Sequence, residues 1–160
     1  MPQADGQTPI LTPELLLKHW LGHRRVTRRV IDAFPEEKLF NFSVGSMRPF
    51  AAIVTELLNM EEPIVRGVAR GDWSRGHFAL PQTKDELLAR WDEATAAIEA
   101  IWPTIPLHRF SELDKAFGIW EGEGIVSILY AIDNEIHHRG QGYVYLRALG
   151  IAPPPFPDRS

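Results

Sequence analysis

There is no cysteine among the 160 residues, which excludes disulfide scaffolds, cysteine nucleophiles and zinc–thiolate centres together. Charge of one sign is not in excess either: 17 Lys and Arg stand against 21 Asp and Glu, a formal net charge of −4. A chain without a basic stripe is not built for a phosphate backbone, so nucleic acid is not an expected partner. Long apolar runs are missing, and none approaches the roughly 20 residues that a bilayer-spanning helix needs. The stretch from Met1 to Pro9 lacks the basic start and apolar centre of a signal peptide, so a cytoplasmic protein without a membrane partner is expected. Also absent are a phosphate-cradling glycine loop, a dinucleotide fingerprint and a serine-triad signature.

What is present is a globular composition, 44% hydrophobic and 24% charged. The length suits one domain over residues 1–160, with an ordered bundle over about 12–150 and loose ends. Four segments carry helical periodicity. The first starts at Thr12-Pro13, a cap followed by proline at the first helical position, and ends at Pro35. Leu16, Trp20, His23, Thr27, Val30 and Phe34 form its inward stripe; Lys18, Arg24, Arg25, Arg28 and Arg29 read as a solvated face. The second segment spans Met47 to Gly71 with a kink expected at Pro63, which cannot donate to Asn59. The third opens on Thr83-Lys84-Asp85-Glu86, a capping-box match, and runs to Pro103. The fourth spans about Gly124 to Leu149 with Gly150 as its cap. Such a pattern predicts an all-α four-helix bundle. The connection from Thr104 to Glu123 is too long for a passive turn, so it packs over an end or covers a site, anchored by Phe110, Phe117 and Trp120.

The fourth helix has two unusual sides. Ile125, Ile128, Leu129, Ile132, Ile136, Tyr143 and Leu146 make an apolar one, and Ser127, Tyr130, Asn134, His138, Gln141 and Tyr145 lie almost opposite. Neither is an ordinary wet face, and burying both suggests a homodimer.

Asp133-Asn134-Glu135-Ile136-His137-His138-Arg139-Gly140-Gln141, with Tyr145-Leu146-Arg147 and Gly150, resembles the last-helix signature of the DinB/YfiT-like family. Met47-Arg48-Pro49-Phe50, running through Glu56 to Glu61, resembles its second-helix signature. The resemblance implies a DinB-type four-helix bundle that binds a divalent metal through three histidines, one on the second helix and two on the last. At those positions this chain has Glu56, Asn134 and His138, so only His138 keeps the ligand type. A carboxylate, an amide oxygen and an imidazole can hold one ion among zinc, manganese, iron, nickel and magnesium, with the harder ligands leaning away from zinc. The same trio also reads as a hydrogen-bonded set without an ion. Some relatives are metal-dependent enzymes acting on a low-molecular-weight thiol, so the resemblance implies a thiol transferase, an isomerase or a hydrolase-like enzyme with a degenerate metal site. The alternative is a non-catalytic stress-response binding or scaffold protein. Trp20, His23, Tyr130, Gln141 and Tyr145 are the expected pocket residues for a small-molecule ligand. His19 with His23, and Asp133 with His137, also sit four apart, and Arg139 is expected to pair with Glu61 or Glu62.

Overall fold

The computed structural model describes residues 10–160, so the signal-peptide reading of residues 1–9 lies outside the described residues. Helix α1 spans Pro13–Ala33, and Thr12 Oγ1 accepts from Leu15 N at 3.2 Å. Pro35 stops it, and a short helix α2, Glu36–Asn41, follows at once. The second expected helix is two: α3, Phe50–Leu58, and α4, Glu61–Arg70. The break falls at Asn59-Met60 rather than as a kink at Pro63. Restarting at Glu61 puts Pro63 in a first turn, where a missing N–H forfeits no helical bond.

Helix α5, Lys84–Ile101, is capped by Thr83, whose hydroxyl accepts from Glu86 N at 3.1 Å. Glu86 reaches back one residue further than a capping box requires, accepting from Gln82 N at 3.0 Å. Helix α6, Gly124–Ala148, ends with Ile151 N donating to Leu146 O and Gly150 N to Arg147 O, Gly150 being left-handed at φ 75. This paired closure is the Schellman arrangement, which satisfies the last carbonyls. The long connection holds two 3-10 turns and a hairpin of β1, Leu113–Ala116, and β2, Trp120–Glu123.

Helices α1, α3–α4, α5 and α6 are the four positions of an all-α bundle. None of the described helices is long and apolar enough to cross a membrane. Two apolar clusters fill the interior. One gathers Val30, Phe34, Phe50, Leu57, Leu87, Trp91 and Leu146; the other gathers Leu16, Trp20, Ile64, Val68, Ile98, Trp102, Ile128 and Ile132. Along α1, α3–α4 and α6 the two clusters are separated by buried polar residues, Arg24 and Thr27, Glu61, and Glu135 and Arg139 respectively. A polar layer therefore crosses the bundle at mid-height.

Five sequence expectations are corrected here. Arg24 does not belong to a solvated face: it is 1% exposed, because α1 packs against both α5 and α6. Arg139 is not paired with Glu61 or Glu62; it donates to His23 O and to Thr27 Oγ1 of α1, while Glu61 is held by Arg24 and Glu62 by Arg66. Trp120 is no core anchor, being 58% exposed, and Leu129 of the expected apolar side is exposed too. The C-terminal end is not loose, since Arg25 and Arg29 of α1 donate to the carbonyls of Asp158, Arg159 and Ser160.

Candidate functional site

The row Ser127, Tyr130, Asn134, His138 and Gln141 runs along one face of α6, with successive members three or four residues apart. Met60 and Ile64 on the α3–α4 side, with Ala116, Phe117 and Trp120 of the hairpin, enclose a cavity of about 230 Å³ that Val126, Ser127 and Tyr130 complete. An adjoining groove of about 190 Å³ shares Met60, Phe117 and Trp120 and continues to Glu56, Asn59, Arg75 and Gly76. Apolar space at one end and charged groups at the other thus form one cleft.

Its hairpin wall is rigidly held. Arg109 donates to the carbonyls of Gly67 and Val68 on α4 and to Asp114 Oδ2 at the start of the hairpin. Trp73 Nε1 donates to the same Asp114 oxygen at 3.0 Å. The Arg109 guanidinium holds the Asp114 carboxyl below the usual range. At the hairpin tip Phe117 has φ 53 and Gly118 φ 70. A phenylalanine in the left-handed region is strained, and here the strain accompanies a side chain that lines both parts of the cleft.

At the polar end, Glu56 Oε2 lies 2.5 Å from Arg48 Nη1, and Glu56 Oε1 lies 3.8 Å from His138 Nε2. His138 Nδ1 is 2.8 Å from Gln141 Oε1. A carbonyl oxygen only accepts, so Nδ1 carries the proton and Nε2 faces the carboxylate. Asn134 Nδ2 is buried without a hydrogen-bond partner. The structure therefore brings Glu56 and His138 together, with Gln141 on His138, and leaves the Asn134 amide donor unmatched.

These groups do not fit a tightly held divalent ion. The Arg48 guanidinium occupies one oxygen of the only carboxylate, cancelling its charge and repelling a cation. What remains is one imidazole and one neutral amide, a weak donor set for any of the candidate metals. Among the described residues no cluster of three His, Asp or Glu side chains is placed to hold an ion.

Of the expected pocket residues, Tyr130 lines the cavity and Gln141 orients His138. Trp20, His23 and Tyr145 lie elsewhere. Tyr145 is fully buried in the first apolar cluster, its hydroxyl donating to Arg48 O at 2.8 Å. Trp20 belongs to the polar layer, where its indole donates to Glu135 Oε2 at 2.8 Å. His23 accepts from Arg139 Nη2 at 2.9 Å, and burial together with Arg139 and Arg159 pulls its pKa down to about 3. Its approach to His19, 3.1 Å between ring nitrogens, is thus surrounded by cations. Asp133 and His137 are exposed.

Sequence reasoning passed over Glu135, although Ile128, Ile132, Glu135, Arg139, Gly142 and Leu146 follow steps of four and three on one stripe. It reached the cavity wall in part: Phe117 and Trp120 stand in the connection expected to pack over an end or cover a site, but only the folded-back hairpin brings them, with Ala116, over α4 and α6.

The family model described as DinB family matches residues 79–159, which run from just before α5 to the C-terminal segment. Bacillus subtilis YjoA is 26% identical over 144 residues, covering 88% of this chain and 93% of that protein. The crystal structure of that DinB-like protein superposes with a TM-score of 0.72 at 20% identity, covering 88% of this chain and 95% of the other. A DinB-like protein from Bacillus cereus gives 0.74 at 16% identity, covering 89% and 95%.

Proposed function

This chain belongs to the DinB family, and from that premise we propose that it is a non-catalytic member that binds a small molecule in the cleft between α6, the α3–α4 junction and the hairpin. The observation that carries this reading is the continuity of the apolar cavity with the polar groove through Met60, Phe117 and Trp120. Sites for small molecules are concave and mostly apolar, with a few polar groups that fix orientation. Protein-observed NMR with a set of small aromatic fragments tests it. Binders should shift the Trp120 indole and Ile64 methyl signals; hits that map elsewhere, or none at millimolar concentration, would overturn the reading.

Metal-dependent thiol chemistry is the competing reading. Its support is the 3.8 Å approach of His138 Nε2 to Glu56, and it requires Arg48 to leave that carboxylate. Stoichiometric metal after dialysis, or a melting point raised by manganese or zinc in the wild type but not in Glu56→Gln, would favour it over ours.

We further propose that the protein forms a homodimer through the outward side of α6. Leu129 and Val144 are large apolar residues exposed along that side, and pairing two copies would cover them.

A further inference from the structure

The cleft reading leaves the ligand's chemistry open, and two features of the same site narrow it. The first is Arg75. It is exposed and makes no ion pair or hydrogen bond among the described residues. Its guanidinium lies 5.3 Å from the Phe117 ring centroid and 5.9 Å from that of Trp120. Cation–π attraction to both rings keeps the guanidinium at the mouth of the cleft, while its N–H groups stay free to meet a carboxylate or phosphate.

The second feature is the charge balance at this end. Two guanidiniums, Arg48 and Arg75, flank one carboxylate, Glu56. One positive charge is left over. On the cavity side the only charged wall residue among the described residues is Glu121, which would repel an anion and so favours a head group at the Arg75 end.

Size sets the rest of the ligand. A cavity of 150 Å³ holds benzene, so one of about 230 Å³ takes an apolar body of roughly ten carbons, such as two fused rings.

We infer that the cleft binds a monoanionic amphiphile, its fused-ring or similarly sized apolar body in the cavity and its carboxylate or other acidic head group at Arg75. This rests on the small-molecule reading of the cleft and adds the ligand class to it.

Titration calorimetry on the full chain with three ligands sharing one body tests the inference: 2-naphthylacetate, 2-(2-naphthyl)ethanol and 2-(2-naphthyl)ethylammonium. A charge-assisted bond to Arg75 should make the carboxylate bind about tenfold tighter than the alcohol, with the ammonium weakest. Arg75→Gln should remove that preference by weakening the carboxylate about tenfold more than the alcohol. Three equal affinities, or a carboxylate preference that survives Arg75→Gln, would overturn the anionic head group and leave the cleft reading standing. An ammonium that binds tightest, and tighter still in Arg75→Gln, would replace the anion with a cation held by the aromatic walls. Failure of all three to bind would remove the inference and the cleft reading together.

Discussion

Arg24 of α1 and Glu61 of α4 form an ion pair inside the bundle, with each side chain 1% exposed. The same guanidinium stacks over Trp91 at 4.0 Å, donates to Thr95 Oγ1 at 2.7 Å and lies 3.9 Å from Glu135 Oε2. One cation thus ties all four helical positions at mid-height. At pH 9, above the Glu61 pKa of about 8, Arg24→Ala should cost about 3–5 kcal/mol, because it leaves two buried carboxylates without their shared partner. Replacing Arg24 and Glu61 together by methionine should cost less than the sum of the single changes, since neither charge is then stranded. Urea denaturation of the two single variants and the double variant checks this; strictly additive losses would mean that the pair contributes nothing as a pair.

Burial raises the Glu61 pKa to about 8 against the lowering pull of Arg24, and burial raises Glu135 as well. A carboxyl whose folded pKa exceeds its unfolded value keeps its proton longer in the native state. Its contribution to stability is therefore present at low pH and declines as pH climbs from the unfolded value of 4.5 toward about 8. His23 acts with the opposite sign, for its depressed pKa means stability is lost as pH falls from 6.5 toward about 3. The two oppose each other between 4.5 and 6.5, so the decline due to Glu61 should emerge above pH 6.5. Urea midpoints measured from pH 6.5 to 9 should fall in the wild type and flatten in Glu61→Gln. Parallel profiles would show that Arg24 keeps Glu61 ionised throughout.

Two glycines on α6 make a matched pair. A Cβ on Gly142 would stand 2.7 Å from the Phe50 ring and 3.0 Å from Val30 Cγ1, whereas one on Gly140 would meet nothing within 4 Å. Gly140→Ala should stabilise the monomer fold by up to about 1 kcal/mol through helix propensity. Gly142→Ala gains the same propensity but overpacks the α3–α6 contact, which costs about 1–3 kcal/mol, so it should lower the melting temperature. If both substitutions stabilise, α3 and α6 are less closely packed than the structure shows.

The proposed dimer has its own test. Light scattering should give twice the 18.1 kDa chain mass at micromolar concentration. Val144→Glu on the outward side of α6 should reduce it to one chain, since a charge would then be buried unpaired against the partner. A single-chain mass for the wild type across a concentration series would dispose of the dimer.

The helices were legible because their signals are local. Thr12-Pro13, Thr83 with Glu86, and Gly150 act on backbone groups within a few residues, and each works at the helix end where it was read. The break at Asn59-Met60 was less visible, because Pro63 announces a defect without saying which turn absorbs it. The approach of Glu56 to His138 followed from family resemblance and helix spacing.

What those local patterns could not determine was set by the third dimension. The same arginine is a solvated residue or the centre of a buried network depending on how many neighbours pack around its helix, and Arg24 sits between α5 and α4. Glu61 finds Arg24 rather than Arg139 because the long Arg24 side chain reaches from α1 across the bundle interior to α4, a relation between residues 37 apart in the chain. The hairpin's fold over α4 and α6 creates a cavity in which Phe117 and Trp120 face Ile64 and Tyr130, which no one stretch of sequence contains. By itself the sequence determined where α1, α5 and α6 start and stop, since caps, prolines and stripes act within one or two turns. Only the packing of those helices decided which charges are buried and where a ligand can lie, because burial and enclosure depend on residues distant in the chain.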